Sequence, residues 1–268
     1  MINYHARKIL NILLSEKTPS KKLNSLSNKD IAAFCSQLIE LKETGQDPKW
    51  HPEGNVWTHT MMVVDVAAEL KNELPKEDHP SYMLGALLHD IGKPATSEYS
   101  DGRIKSPGHD HQGAIIAGEC LRKNGFDEDT INEVTAYVRE HLRPIALYRD
   151  RNKVSDNAIN KLGKRINIDK LILLAKADHW GRDKDEAFRR EYPAGDWLKS
   201  RIEHNALMKK QPKPFLKGKF LKNHGVEDGP EIGRLINESL KLQKEGRISS
   251  VRDAKKWAKE RIEQERSK

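Results

Sequence analysis

Apolar residues recur at intervals of three and four through the middle of the chain, and this periodicity constrains the fold more than any other feature. In the stretch 58–70, for example, Met62, Val63, Val66 and Leu70 fall on one side of a helix. Stretches of alternating β-branched residues, which would indicate half-buried strands, are hard to find. The pattern therefore predicts an all-α protein built from amphipathic helices.

Five of these helical stretches place a potential metal ligand on the apolar stripe or at its end. The residues are His59, His89 with its neighbour Asp90, His109, His141 and Asp178. A buried imidazole or carboxylate is costly unless it finds a partner. One histidine on an apolar face is usually satisfied by an internal hydrogen bond, but a shared cation would satisfy all six side chains at once. The sequence therefore predicts a metal site.

Four imidazoles and two carboxylates suit one or two divalent ions, and they leave nickel, cobalt, manganese, iron, magnesium and zinc open. Asp90 could bridge two ions because a carboxylate has two oxygens. The helix before His89 is expected to begin at an N-cap Ser81 and to stop at Gly92. The histidines in polar or turn-like sequence are expected at the surface. They are His5, His51, His79, His204 and His224.

Net charge and cysteine content limit the kind of binding partner and the cellular compartment that we expect. A formal net charge of +8 and a pI near 9.3 favour a polyanionic partner, although a lysine-rich surface without such a partner has the same composition. Cys35 and Cys120 are too few for a disulfide framework. The polar start shows no signal peptide and no apolar run reaches membrane-spanning length. We expect a cytoplasmic protein with no membrane contact.

The sequence around the potential ligands resembles a known family. The order His59, His89-Asp90, Asp178 is similar to the signature of the HD-domain metal phosphohydrolases. The flanking motifs resemble, more narrowly, the HD domain attached to bacterial tRNA nucleotidyltransferases (CCA-adding enzymes). These motifs are HPEGNVWTHT at 51–60, LLHDIGKP at 87–94, GHD at 108–110 leading to Gly113-Ala114, and AKAD at 175–178 with Gly181-Arg182. The region 216–257 is similar to the end of the same enzymes.

This resemblance implies an HD-domain helical bundle with small helical extensions at both ends. We expect an N-terminal extension over 1–49, the HD domain over 50–205 and a C-terminal helical region over 206–268. Among the metal ligands, His59, His89, Asp90 and Asp178 would hold the primary ion. The positions of His109 and His141 match those that supply a second ion, shared through Asp90, in dinuclear members. No Gly-Ser dipeptide of the nucleotidyltransferase head occurs, so CCA addition is not expected.

The activity implied by the resemblance is hydrolysis of phosphoester bonds in nucleotides or at RNA 3′ ends, tRNA included. Cyclic 2′,3′-phosphodiesterase, 2′-nucleotidase and phosphatase activities are associated with HD domains of this kind. Besides Asp90, we expect Lys93, Arg143 and Arg182 to act in catalysis by neutralising phosphate charge. Two alternatives stay open, a general nucleotidase or nucleoside triphosphate hydrolase and a non-catalytic RNA-binding module. The sequence leaves the oligomeric state undetermined.

Overall fold

The computed structural model describes residues 1–182, 191–210, 214–227 and 229–266. This part of the chain is helical apart from one short hairpin, which confirms the all-α prediction. The helices that precede the hairpin are α1 (Tyr4–Ser15), α2 (Pro19–Ser25), α3 (Asn28–Phe34), α4 (Gln37–Glu40), α5 (Val56–Leu70), α6 (His79–Leu88) and α7 (Lys93–Thr96). Those that follow it are α8 (His109–Lys123), α9 (Glu128–Glu140), α10 (Arg143–Arg149), α11 (Asp156–Gly163) and α12 (Ile168–Trp180), then Pro193–Lys210, Gly218–Lys222, Pro230–Lys244 and Val251–Arg266.

The chain separates into two compact units, Met1–Ile202 and Glu203–Lys268. The first 49 residues belong to the first unit, where α1 packs against α6 and α2 packs against α5. Asn124 ties this segment to α8, because its Nδ2 donates to the backbone oxygen of Phe34 at 2.7 Å. The division into three parts at residues 50 and 206 stays a prediction.

Helix α6 is the centre of the first unit. Every residue from Ser81 to Leu88 is buried, and α6 packs against α1, α5, α9 and α12. A helix that is apolar on all sides must be surrounded. Gly85 permits the approach of α9, since a Cβ at this position would lie 3.0 Å from the Tyr137 ring. Whatever follows directly on α6 therefore starts deep inside the protein.

The start of α6 differs from the expectation. The helix begins at His79, two residues before the predicted N-cap Ser81. Pro80 occupies the first turn, where its fixed φ fits and its missing N–H costs nothing. The hydroxyl of Ser81 instead donates to Glu133 at 2.6 Å, across to α9. The N-cap prediction at Ser81 is therefore wrong.

Two short strands, β1 (Glu98–Ser100) and β2 (Arg103–Lys105), form an antiparallel hairpin between α7 and α8. Asp101 and Gly102 both have positive φ, 53° and 75°, which is the backbone that a two-residue hairpin turn requires. They are the strands in the described part of the chain. The hairpin carries Ile104 to the edge of the cavity described below.

The second unit has a small core of its own. Leu216, Leu221, Leu235, Ile248, Ala254, Ala258 and Ile262 form this core. The sequence of the unit, residues 203–268, has 17 Lys and Arg residues against ten Asp and Glu residues, a net charge of +7 out of +8 for the whole chain. In the described residues, no helix is both long enough and apolar enough to cross a membrane.

Candidate metal centre

His59 lies one turn after the start of α5. The Asn55 side chain caps this helix by accepting the backbone N–H of Thr58 at 2.8 Å. His59 is fully buried, and its Nε2 lies 3.0 Å from Oδ1 of Asp178 in the last turn of α12. The contact between α5 and α12 therefore brings together an imidazole and a carboxylate that are far apart in sequence.

The pair His89 and Asp90 follows the buried helix α6 directly. A Cβ on Gly92 would lie 2.1 Å from the backbone oxygen of His109, so only glycine lets this turn approach the start of α8. The approach places Oδ1 of Asp90 3.3 Å from Nε2 of His109. The close contact gives a physical reason for the glycine in the His-Asp-x-Gly-Lys segment.

His141 comes from the end of α9, which packs against α8 along its length. Its Nε2 lies 3.4 Å from Nε2 of His109 and 3.7 Å from Oδ1 of Asp90. His141 and His109 are both buried. The structure thus brings together all six side chains that the sequence predicts as metal ligands. That they bind a metal stays a prediction.

The six side chains form two sets, each with its potential ligand atoms within 4.8 Å of one another. We call His59, His89 and Asp178 the inner set, and Asp90, His109 and His141 the outer set. Asp90 joins the two, because its Oδ2 lies 3.2 Å from Nε2 of His89 while its Oδ1 faces the outer histidines. A carboxylate in this position can contact ions in both sets.

Backbone hydrogen bonds fix which ring nitrogen carries the proton in three of the histidines. Nδ1 of His89, His109 and His141 each pairs with the carbonyl three residues earlier, at 2.9, 2.7 and 2.7 Å. A carbonyl oxygen can only accept, so Nδ1 is the donor. In the neutral rings, Nε2 then presents its lone pair to the centre of the cluster. Such an outer hydrogen bond is typical of metal-binding histidines.

The Nε2 lone pairs of these three histidines point to one region, where the described residues offer too few hydrogen-bond donors to pair with them. Nε2 of His89 is buried and has no hydrogen-bond partner among the described residues. Nε2 of His109 and Nε2 of His141 face each other at 3.4 Å. Two lone pairs cannot satisfy each other, whereas a cation accepts both. The donor set therefore fits a divalent metal ion, and the imidazole nitrogens favour a transition metal.

Charge in the cluster keeps both carboxylates ionised. Burial opposes ionisation of Asp90, but the Lys93 ammonium and neighbouring imidazoles hold its pKa well below the usual range. Burial likewise opposes ionisation of Asp178, and Arg182 with the imidazole of His59 outweighs it and lowers the pKa. Two negative charges therefore lie inside the protein, where Lys93, Arg182 and the imidazoles surround them.

The outer histidines respond to this charge in opposite directions. Burial lowers the pKa of His109, but the Asp90 carboxylate reverses this and raises it above its usual value. Burial and the nearby charge of His109 lower the pKa of His141 to about 4. For His89, burial is again outweighed by Asp90 and Asp178, and the pKa is raised. Protonated His89 and His109 thus supply positive charge next to the carboxylates, which a bound metal ion would supply in their place.

Glu53 is a site residue that the sequence analysis did not single out. Its Oε1 lies 2.8 Å from Nδ1 of His59 and 2.9 Å from Nδ1 of His51. Burial opposes its ionisation, but hydrogen bonds from His51 and His59 hold its pKa well below the usual range. Carboxylate, imidazole and metal in a row is a recurrent arrangement that orients the ring and strengthens it as a ligand.

The expectation of a surface position for His51 is wrong. The side chain is 14% exposed, its ring lies 4.8 Å from that of His59, and its Nδ1 contacts Glu53. Burial is the main reason that its pKa is lowered, and the hydrogen bond to Glu53 only partly offsets this. Glu53 contacts the buried His59, so the turn that carries His51 and Glu53 folds inward. The polar sequence around His51 gave no sign of this.

A cavity of about 380 Å³ opens beside the cluster. Asp90, His109, His141 and Asp178 line it, together with the predicted cations Lys93 and Arg182. Nζ of Lys93 is held 2.7 Å from Oδ2 of Asp90 and 2.6 Å from Oε1 of Gln46. Nη2 of Arg182 lies 3.7 Å from Oδ1 of Asp178. Two of the three predicted phosphate-neutralising residues therefore face the metal cluster.

Arg143 is placed differently from the prediction. It does not line the cavity; its side chain is exposed, and its Nε lies 3.5 Å from Oε2 of the buried Glu140. Helical backbone continues past His141, so a residue two positions on is turned about 200° away from it. Arg149, at the other end of α10, lines the cavity instead. Arg149 is exposed and has no ion-pair partner among the described residues.

Comparison with known proteins agrees with this geometry. A family model described as HD domain matches residues 56–182. This part of the chain therefore resembles an HD domain. It contains five of the six potential ligands on or next to α5, α6, α8 and α9, and the sixth at the end of α12. The match indicates a family of metal-dependent phosphohydrolases, and HD domains bind divalent metals.

Curated relatives extend the likeness beyond the HD domain. The chain is 30% identical over 204 residues to the CC-adding tRNA nucleotidyltransferase of Thermus thermophilus, covering 74% of this chain and 43% of the relative. It is 26% identical over 230 residues to a multifunctional CCA protein of Halorhodospira halophila, covering 84% and 51%. The chain thus spans about half the length of these relatives or less. The resemblance to the HD region of CCA-adding enzymes is confirmed at modest identity.

Proposed function

We propose that this chain hydrolyses phosphoester bonds in nucleotides or at RNA ends, with 2′,3′-cyclic phosphodiesters as its main substrates. The observation that carries the proposal is the convergence of six metal-ligand side chains at a cavity that Lys93, Arg149 and Arg182 also line. The buried ligands, with their free lone pairs, can bind a metal ion, and the cationic side chains of the cavity can bind an anionic group. A phosphate ester is the substrate class that needs both.

A divalent ion held by these residues would activate a water molecule and withdraw charge from a phosphoryl oxygen. Attack of water on phosphorus forms one P–O bond and breaks the bond to the 2′ or 3′ oxygen. The leaving oxygen takes up a proton, and the product is a phosphomonoester. Asp90 holds the two sets of ligands together, and the backbone carbonyls behind His89, His109 and His141 keep their protons on Nδ1.

Lys93 is the residue best placed to oppose charge on the phosphoryl group. It is 8% exposed, and two short contacts, to Asp90 and Gln46, fix its position. A fixed positive charge in a partly dry site stabilises developing negative charge without reorganising. Arg182 adds a second positive charge near Asp178, and its guanidinium can form paired hydrogen bonds with phosphate oxygens.

The basic second unit supports an RNA-derived substrate. Its net charge of +7 leaves the first unit close to neutral, and Lys- and Arg-rich surfaces gain affinity for phosphate backbones by releasing counterions. Two relatives are named for tRNA nucleotidyl transfer or for CCA. We therefore favour RNA ends and nucleotides over other phosphate esters.

A substrate panel tests the proposal. Purified protein would be assayed with manganese, nickel, cobalt, zinc or magnesium on 2′,3′-cyclic nucleotides, 2′- and 3′-monophosphates, nucleoside triphosphates and RNA with a cyclic phosphate end. We expect the cyclic phosphodiesters to be hydrolysed fastest. Preference for triphosphates would replace the proposal with a triphosphate hydrolase. Tight RNA binding without turnover under any metal would indicate a non-catalytic RNA-binding module.

A further inference from the structure

Trp50 is an exposed aromatic side chain beside the metal cluster. It is 44% exposed, and it lines the same cavity as Asp90, His109 and His141. The other large exposed apolar side chains in the described part of the chain do not line that cavity. They are Met1, Tyr4, Tyr99, Ile115 and Val251. An indole left in water at the edge of a polar site is apolar surface that a ligand can cover.

The turn that carries Trp50 is fixed to the metal centre at both ends. The backbone oxygen of Asp47 accepts the N–H groups of Trp50 and His51 at 3.1 and 2.9 Å, and its carboxylate accepts the N–H of Lys49 at 2.9 Å. Before the turn, Gln46 holds Lys93, and after it, Glu53 contacts His59. The backbone at Trp50 is therefore held beside the ligand cluster.

The surroundings of Trp50 suit a flat, neutral ring attached to an anion. Ile104 from the hairpin adds a second apolar side chain to the cavity lining, and Nζ of Lys49 lies 5.4 Å from the indole centroid. The phosphate-binding cations and the potential metal ligands line the same cavity. In the lining, Gln46 and Ser106 are engaged with Lys93 and Ser97, and Nδ1 of His51 is engaged with Glu53. A stacking contact, which every base can make, fits this lining better than a base-specific hydrogen bond.

We propose that Trp50 stacks on the base of a nucleoside phosphate whose phosphate group lies at the metal cluster. Trp50 is then a specificity-determining residue, which makes the substrate a nucleotide and not any small phosphodiester. The proposal rests on the proposed function. Stacking on an aromatic side chain typically changes affinity by about tenfold to a hundredfold, so the effect is large enough to measure.

The test compares a substrate with and without a base. Hydrolysis of adenosine 2′,3′-cyclic phosphate and of ribose 2′,3′-cyclic phosphate would be measured for the unmodified protein and for Trp50→Ala, Trp50→Phe and Tyr99→Ala. We expect Trp50→Ala to raise KM for the adenosine substrate about tenfold or more, and to change kcat/KM for the ribose substrate less than about threefold. Trp50→Phe retains most of the preference for a base. Tyr99→Ala, an exposed aromatic outside the cavity, matches the unmodified protein.

Equal losses on both substrates would overturn the proposal, since they would mean that Trp50 only supports the fold. Equal kcat/KM values for the two substrates in the unmodified protein would overturn it as well. Binding separates this outcome from failure of the proposed function. If no substrate is hydrolysed, calorimetric titration with adenosine 3′-monophosphate and with inorganic phosphate still decides. A preference for the nucleotide that Trp50→Ala removes supports the stacking site, and absence of that preference contradicts it.

Discussion

The inner and outer sets of ligands differ in the hydrogen-bond partners of their histidines and in their exposure to the cavity. In the inner set, His59 and His89 are fully buried and do not line the cavity, and Glu53 backs His59 with a carboxylate. In the outer set, all three members line the cavity, and its histidines are backed by backbone carbonyls alone. A carboxylate behind an imidazole makes it a stronger ligand. We therefore propose that an ion in the inner set is held more tightly, and that an ion in the outer set is the one that contacts substrate.

The comparison has a direct consequence for metal occupancy. An ion in the inner set would be held by two enclosed histidines and carboxylates, and it would exchange slowly. An ion in the outer set would share Asp90 and face the cavity, where substrate oxygens can join its ligands. We expect two binding events of different affinity, the inner one tighter.

Replacing Asp90 by Ala should remove both binding events, because Asp90 is the residue that the two sets share. It also leaves Lys93 without its carboxylate partner. We expect a loss of metal content and a fall in kcat of at least about a thousandfold. Elemental analysis and initial rates measure the two effects. Asp129→Ala, an exposed acid at the start of α9, is the matched control and should behave like the unmodified protein.

Replacing His141 by Ala should remove the outer ion and keep the inner one. The substitution deletes one of two outer imidazoles, while the inner contacts of His59 with Glu53 and Asp178 stay intact. We expect one equivalent of metal per chain where the unmodified protein binds two, and a rate about a hundredfold lower. Loss of both equivalents in His141→Ala would mean that the sets do not act as separate sites.

Replacing Glu53 by Gln should weaken the inner ion selectively. The amide keeps the size of the side chain but gives up the charge that supports His59. We expect the affinity of the tighter event to fall about tenfold to a hundredfold, with the weaker event unchanged, in a chelator-competition titration. An equal fall in both affinities would contradict the assignment of Glu53 to the inner set.

Acid should weaken metal binding at both sets through one histidine each. The pKa values of His89 and His109 are raised, mainly because the Asp90 charge outweighs burial. Below those pKa values the metal must displace a proton, so affinity falls as the pH falls, about tenfold per unit for each proton. His141, with a pKa of about 4, does not compete above pH 5. Calorimetry in buffers of different ionisation enthalpy would count the protons, and we expect one for each ion.

Helical periodicity predicted which side chains the fold brings together, and it did not predict the residues that support them. His59 and His141 could be placed inside because neighbouring apolar residues indicate which face of α5 and α9 turns inward, and His89 because the helix before it is apolar on all sides. Glu53 lies in an irregular turn before α5, where no repeating pattern indicates direction. Its position between His51 and His59 depends on how this turn folds back on the start of α5, which no repeat in the sequence describes.

The cations of the site show the same limit. Lys93 was predicted from its place just after the His-Asp pair, and the structure places it 2.7 Å from Asp90. Arg143 was predicted from nearness in sequence to His141, but the turn of the helix carries it away from the cavity, and its exposed side chain contacts the buried carboxylate of Glu140. Arg149 reaches the cavity from six residues further on. Along a helix, two residues that are close in sequence lie on the same face only when they are about three or four positions apart.

A metal back-titration tests whether hydrolysis requires a metal ion that Asp90 helps to hold. The protein would be stripped with a chelator and dialysed, and manganese would be added in steps while hydrolysis of adenosine 2′,3′-cyclic phosphate is followed. The account predicts no hydrolysis without metal, binding in two steps in the unmodified protein, and no recovery of activity in Asp90→Ala. Full hydrolysis by the stripped protein, or recovery of Asp90→Ala at the same manganese concentration, would contradict it.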